Sequence, residues 1–219
     1  MGLARFYLSK ISDISFYKLF GTGSDDGFTF KINPFTNTGV YAILAVWQNK
    51  GIAEEIIHKD RLFRKYRDYS CQNWTIYLDP ISVKGVWNGK KPFRCTEASA
   101  DGRIVALTRA TIKIRTMMNF WRKVPNVQKM IAADENVLFK IGLGEVPLFN
   151  QVTFSIWPDA ESMNTFARKN GPHAEAIKAV RRGKWFSEEL YARFIICGEH
   201  GEWSRKSSSE ERYDKLEAS

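Results

Sequence analysis

The stretch Phe139-Lys140-Ile141 … Asn150-Gln151-Val152-Thr153-Phe154-Ser155-Ile156-Trp157 decides the fold, because it has an earlier counterpart. Phe30-Lys31-Ile32 precedes Phe139-Lys140-Ile141 by 109 residues, and Ala45-Val46-Trp47 precedes Ser155-Ile156-Trp157 by 110. Trp74-Thr75-Ile76-Tyr77 recurs loosely, near offset 111, as Trp185-Phe186 leading into Tyr191-Ala192-Arg193-Phe194. Three landmarks in one order at nearly constant spacing indicate that one supersecondary unit is duplicated. Within the stretch, Gln151, Thr153 and Ser155 alternate with Val152, Phe154 and Ile156, the period of a strand with two unlike faces. The apolar face is expected to be a helix-covered core and the polar face a wetter interior.

Working outward, residues 4–8 read as a strand, Asp13 as the cap of a short helix through Phe16, Tyr17 and Leu19, and residues 28–33 as a second strand. The apolar run 40–47 reads as a strand buried on both faces. Residues 52–69 form an amphipathic helical pattern, and 74–78 a closing strand. This β-α-β-β-α-β order is the ferredoxin-like arrangement. It restarts after a polar connector, with strands at 103–114, 137–141, 150–157 and 190–197, helices at 117–133 (kinked at Pro125) and from Asp159 to Arg182, and a turn at 142–147. The expected fold is α+β: two tandem ferredoxin-like repeats forming an α+β barrel of the dimeric type within one chain. The divisions are 1–80 for the first repeat, 81–102 for the connector, 103–200 for the second repeat and 201–219 for a polar, mobile tail. Internal duplication makes a homodimer unnecessary for closing the barrel without forbidding one.

A chain of 219 residues, 44% hydrophobic and 14% aromatic, can bury a substantial core. The net charge of +9 is spread along the sequence. It suits a solvated basic surface or an anionic partner, and no nucleic-acid-binding motif accompanies it. Cys71, Cys95 and Cys197 are isolated, without a CxxC pair, which suits free buried thiols in a reducing compartment. Met1–Arg5 has no signal-peptide core, and no run of eighteen apolar residues is present. A soluble cytoplasmic protein is expected, meeting any lipid substrate from the membrane surface.

Of the three histidines, His58 lies among charges and His200 in a turn-like Gly-Glu-His-Gly; both read as surface. His173 differs. It follows Gly171-Pro172 and so falls in a first helical turn, with Ile177 one turn on and Val180 beyond it. A helix N-terminus and burial both favour neutral imidazole, the metal-binding form. Two readings stand: a core histidine bonded to a carbonyl, or an axial ligand. No second histidine or cysteine cluster completes a three-ligand zinc site, whereas a porphyrin supplies four ligands itself. Its place in the first repeat is taken by Leu62, so one site per chain is expected. No G-x-S-x-G or Cys-His pair is present, and Gly142-Leu143-Gly144 runs into Glu145-Val146-Pro147 where a dinucleotide fingerprint needs a helix start.

Thr108-Arg109-Ala110, Phe120-Trp121 with Pro125, Gly142-x-Gly144-Glu145-x-Pro147, Gln151-x-Thr153-Phe154-Ser155-x-Trp157, Phe166-Ala167, His173 and Trp185-Phe186-x-Glu188-x-Leu190-Tyr191-Ala192-Arg193-Phe194 together resemble the spheroidene monooxygenase family. The resemblance covers about 103–197. It implies haem b, dioxygen, an external electron donor such as a ferredoxin with its reductase, and an apolar, carotenoid-type substrate. His173 is then the expected iron ligand. Arg109 and Lys140 are candidate donors or propionate partners, and Gln151 a polar group of the catalytic pocket. Phe154, Trp157 and Ile177 are candidate cofactor walls, and Arg181 a propionate partner with Arg182 and Lys184. Rival readings are a haem enzyme of another type (dehydration or rearrangement of a nitrogen-containing substrate), a haem carrier, and a cofactor-free barrel.

Overall fold

One seven-stranded antiparallel sheet organises the protein in a computed structural model describing residues 2–21, 40–97, 101–122, 136–146, 149–168 and 183–203. The elements are α1 (Gly2–Leu8), β1 (Ile14–Gly21), β2 (Tyr41–Trp47), α2 (Lys50–Lys59), α3 (Arg61–Tyr69), β3 (Trp74–Gly85), β4 (Ile104–Ile112), β5 (Phe139–Val146), β6 (Asn150–Trp157), α4 (Ala160–Arg168) and β7 (Phe186–Gly201). The strand order is β2-β1-β5-β6-β4-β7-β3. In the second repeat, β5-β6-β4-β7 is the complete ferredoxin-like order: a central first strand flanked by the third and fourth, with the second outside. The hairpin β1–β2 matches β5–β6, and β3 matches β7. The sheet curls, so both of its ends feed one interior. Phe16 and Phe20 of β1, Ala42, Leu44 and Val46 of β2, Trp74, Ile76 and Leu78 of β3, and Val105, Val152, Ile156 and Leu190 of the second repeat share a single apolar cluster. The chain is thus an α+β barrel made of two repeats, held together by one core rather than by two.

Several elements differ from the sequence expectation. Residues 4–8 are helical, not extended: Ala4 and Leu8, one turn apart, bury 97% and all of their surface with Leu62 against the outer side of β1–β2. Tyr17 reinforces the contact by donating its hydroxyl to the Arg5 carbonyl at 3.0 Å. The segment after Asp13 is strand β1, not a helix. Phe16, Lys18 and Phe20 face inward, and Tyr17 and Leu19 outward, a period of two. The helix expected over 52–69 is two, because Asp60 caps both: its backbone is extended, and its carboxylate accepts from the Leu62 N–H at 2.7 Å. Gly142 to Val146 continue β5 rather than turning. The connector is less polar in structure than in composition: β3 runs on to Gly85, and Trp87 and Phe93 lie in the core. Cys71 and Cys95 are exposed rather than buried. Residues 28–33, which carry the first repeat of Phe-Lys-Ile, lie outside the described residues.

Helices cover the outer side. Against β1–β2 pack α1 and α3, through Leu8, Leu62, Phe63 and Tyr66 onto Tyr17, Leu19 and Ile43. Against β4 and β6 packs α4, through Met163 and Phe166 onto Ile104 and Trp157. The assignment of faces in β6 is therefore opposite to that expected. Val152, Phe154 and Ile156 line the barrel interior, and Gln151, Thr153 and Ser155 lie on the helix side.

Candidate active site

The outer face of the second repeat is built in cross-strand rows, since paired residues of an antiparallel sheet share a face. One row is Gly144, Gln151, Ala110 and Glu189; the next is Gly142, Thr153, Thr108 and Tyr191; the third is Lys140, Ser155, Ala106 and Arg193. In the fourth row Trp157, Ile104 and Ile195 lie beneath α4, whose Phe166 ring is 5.0 Å from that of Trp157. Across β5, β6 and β4 the first three rows carry two glycines, two alanines, two threonines and a serine, with Gln151 and Lys140 as the long side chains. Four strands at about 4.8 Å spacing make this floor about 14 Å wide.

Gln151 sits in that floor at 6% exposure, and neither its carboxamide oxygen nor its nitrogen has a hydrogen-bond partner. An unpaired buried amide costs roughly 1–3 kcal/mol, so this carboxamide calls for a polar partner from a ligand or a water. Ser155, also buried, accepts from the Trp157 indole N–H at 3.0 Å, which fixes the ring at the floor's edge. Glycines inside a strand mark close approach of a ligand or another backbone. The alternating pair Gly142 and Gly144, read from sequence as a turn, was the available sign of this floor.

The candidate residues divide between the two faces. Lys140, Gln151 and Trp157 share the floor side, while Phe154 and Arg109 point into the barrel. Phe154 packs its ring 6.3 Å from Phe139. Arg109 is 1% exposed and anchors an ionic cluster. Its Nη1 pairs with Glu188, its Nη2 donates to Asn88 Oδ1 at 2.9 Å and lies 3.9 Å from Glu145, its Nε has no partner, and the Trp87 ring lies 5.6 Å away. Glu145 also accepts from the Trp87 indole N–H at 3.0 Å and pairs with Lys18 of the first repeat. Asn88 and Gly89, both at positive φ, form the tight turn between Trp87 and Lys90. That turn aims two N–H groups at Glu188, at 2.7 and 2.8 Å. Burial pushes the Glu188 carboxyl up, but the Gly89 and Asn88 N–H groups and the Arg109 guanidinium outweigh it and leave its pKa below the ordinary value. This cluster holds the two repeats together and is separate from the floor.

His173, Ile177 and Arg181 lie outside the described residues, in the segment that leaves α4. His58 and His200 are exposed, as expected. Among the described residues no three of His, Cys, Asp and Glu are grouped to hold a metal ion, and no helix is long and apolar enough to cross a membrane. Among the described residues, the wide floor of small residues with an unmatched amide fits a planar ligand that brings most of its own metal ligands.

Fold and geometry together define a duplicated ferredoxin-like α+β barrel whose second repeat presents, among the described residues, a face of small side chains around a buried amide. No protein-family profile matches the chain. It is 42% identical over 209 residues to the spheroidene monooxygenase of Rhodobacter capsulatus, covering 94% of this chain and 85% of that protein. It is 46% identical over 206 residues to that of Cereibacter sphaeroides, covering 93% of this chain but 61% of that longer protein, and 31% identical over 188 residues to that of Rubrivivax gelatinosus, covering 86% and 71%. Solved structures with some likeness include a putative monooxygenase from Fusobacterium nucleatum (TM-score 0.44, 12% identity, covering 92% of this chain and 86% of that one). Another is a putative monooxygenase from Lactobacillus acidophilus (TM-score 0.38, 16% identity, covering 90% and 87%). The chain belongs to the spheroidene monooxygenase family. It is accordingly an oxidoreductase of the monooxygenase type.

Proposed function

We propose that this protein is a haem-dependent monooxygenase that places one atom of dioxygen on an apolar, carotenoid-type substrate, with electrons from an external donor such as a ferredoxin and its reductase. The observation that carries the reading is Gln151, a buried carboxamide without a partner on a floor of small residues. The substrate class follows the relatives, which are named for spheroidene.

In this reading the floor formed by Gly142, Gly144, Ala110, Thr108 and Thr153 would hold a haem b, and His173 would ligate its iron. Bound haem would supply the oxygen activation and electron transfer that side chains cannot. The chain's own groups orient and exclude. The Gln151 nitrogen donates to an acceptor on the bound group, and its oxygen takes a proton donor. Lys140 and Arg193, at opposite ends of one row, offer cations to carboxylates, and Arg181 adds a third. Trp157, held by Ser155, and Phe166 wall the α4 side against water. A basic chain (net +9) working from the cytoplasm suits an encounter with acidic headgroups at the membrane where an apolar substrate resides.

The test is reconstitution with haem followed by absorbance. The unaltered chain is expected to give a Soret band and His173→Ala to lose it, while Gln151→Leu weakens affinity about tenfold, the worth of one or two hydrogen bonds. No Soret band in the unaltered chain, or an unchanged one in His173→Ala, overturns the haem assignment. Substrate turnover that needs no reductant overturns the monooxygenase reaction on the same haem.

A further inference from the structure

Helix α1 is apolar on both of its sides. Gly2-Leu3-Ala4-Arg5-Phe6-Tyr7-Leu8 carries a single charge, Arg5. Ala4 and Leu8 face the sheet and are buried with Leu62 of α3. Leu3, Phe6 and Tyr7 face away and are 72%, 56% and 44% exposed. They stand at i, i+3 and i+4, so they adjoin on the helix surface, and the Phe6 and Tyr7 rings meet edge to face with centroids 6.0 Å apart. A lone exposed apolar residue is ordinary, but a contiguous group marks a surface that meets something apolar. A helix that is apolar all round is normally covered all round. Cations surround the group. Lys10 Nζ lies 3.8 Å over the centre of the Phe6 ring. The neighbouring α3 repeats the arrangement. Its Arg67 reaches the Ile57 and His58 carbonyls of α2, so Lys65 and Tyr69, on the opposite side of α3, turn away from α2. The Tyr69 ring is exposed, and Lys65 Nζ lies 5.9 Å from its centre. On α1, α3 and the turn after α1 the exposed cations are Arg5, Lys10, Arg61, Arg64 and Lys65, against one exposed acid, Asp68.

We infer that the Leu3–Phe6–Tyr7 face of α1, with the cations of α1 and α3 about it, docks the protein on an anionic phospholipid surface. Rings beside ammonium groups on flexible stems suit a lipid interface: the ring enters the acyl boundary, and the stem carries its charge out to the phosphates. Each cation near such a surface adds to the attraction. A second copy of the chain is a poorer occupant. A two-fold contact through this face sets the same patch of each copy against the other, so the cations meet cations with a single exposed acid on each side to offset them. This face gives the membrane encounter proposed above a place on the molecule, and depends on that reading only, not on the haem.

Vesicle flotation of the full chain tests this, with vesicles of phosphatidylcholine alone and with vesicles of which about one third is phosphatidylserine. The unaltered chain is expected to bind the anionic vesicles, and more weakly as salt rises. Leu3→Ser/Phe6→Ser/Tyr7→Ser should weaken that binding at least about tenfold through lost apolar burial. Lys10→Glu/Lys65→Glu should weaken it at least about twentyfold, since one cation near the surface is worth about fivefold. Lys90→Glu/Lys91→Glu makes the same change in net charge on the connector and should weaken binding less than about threefold. Hydrogen exchange of the unaltered chain needs no variant: the amides of Leu3–Leu8 should slow at least about tenfold on anionic vesicles, and those of β4 should not change. Four results overturn the inference: no binding to anionic vesicles, binding kept by the serine variant, equal loss in the connector variant, and protection of α1 that follows protein concentration instead of lipid. Neither haem nor turnover enters these readouts, so they can fail while the haem assignment holds, and hold while it fails.

Discussion

The two repeats share a fold and differ in what their outer faces meet. In the first, Tyr17, Leu19 and Ile43 stand out from the sheet and are filled against by Leu8, Leu62, Phe63 and Tyr66. In the second, the corresponding region presents Gly142, Gly144, Ala110, Thr108 and Thr153 around a buried amide without a partner. Among the described residues, one face is packed by its own helices and the other presents small and polar side chains. Duplication explains how such a difference arises, because one copy can keep its packing while the other diverges. The division of labour sits on the outside only, since inside both repeats contribute to a common core and a common ionic cluster.

That common interior should be the most sensitive place. Arg109→Met removes the buried cation of the cluster, leaving Glu188 only the Asn88 and Gly89 N–H groups and Glu145 only Lys18 and the Trp87 indole, a change that typically costs up to about 3–5 kcal/mol. Denaturant unfolding should show this loss in protein without haem as well as with it. A loss confined to the haem-loaded protein would mean that Arg109 serves the ligand and not the barrel. On the first repeat's outer face, Leu8→Ala should cost about 2–5 kcal/mol, as buried leucines do, and leave the haem spectrum of the remaining folded protein unaltered. If instead the spectrum changes, the two faces are coupled and the contrast between them fails.

The sequence disclosed the second repeat better than the first for a physical reason. Strand β6 has a clear alternation set by unlike faces. In β1, Phe16, Tyr17 and Leu19 fit a helical spacing as well as a strand, and only pairing with β2 decides between them. Ala4 and Leu8 form a four-residue repeat too short to read against the apolar run around them. Asp60 interrupts an amphipathic pattern without changing its period. Of the candidate site, the shared surface of Gln151, Lys140 and Trp157 is seen in the structure, but its side was not legible: the polar face of β6 lies toward the helices because the barrel interior is the drier place. Arg109 looked like a ligand partner because a lone cation in a strand has no visible counter-ion. Glu188, 79 residues away, supplies it only through the β4–β7 pairing.

The Glu188 carboxylate gives the interior a pH signature of its own. Its folded pKa lies below the unfolded one, which is about 4.3. The stabilisation is therefore fully present above the unfolded value and is lost as pH falls through the folded value. Thermal unfolding followed from pH 6 downward should show the unaltered chain losing stability in the window beginning just below about 4.3. Glu188→Gln should be less stable near neutrality and decline less steeply through that window. Parallel acid limbs in the two proteins would show that Glu188 does not carry the dependence and that the cluster is held by Glu145 instead.

The smallest effect on folding should come from the floor itself, and it is the most telling for the contrast between repeats. Thr153 is exposed at its centre, flanked in its row by Gly142 and Thr108. Thr153→Leu adds bulk where nothing of the described chain fills the face, so unfolding free energy should move by no more than about 0.5 kcal/mol. Haem uptake, in contrast, should fall sharply, because the added methyl groups stand where a flat ligand has to lie. The matching change on the other repeat, Ile43→Thr, should reverse the pattern, with stability lost and uptake kept. A Thr153→Leu protein that is strongly destabilised would show that the second face is packed like the first, and the ligand floor would have to be sought elsewhere.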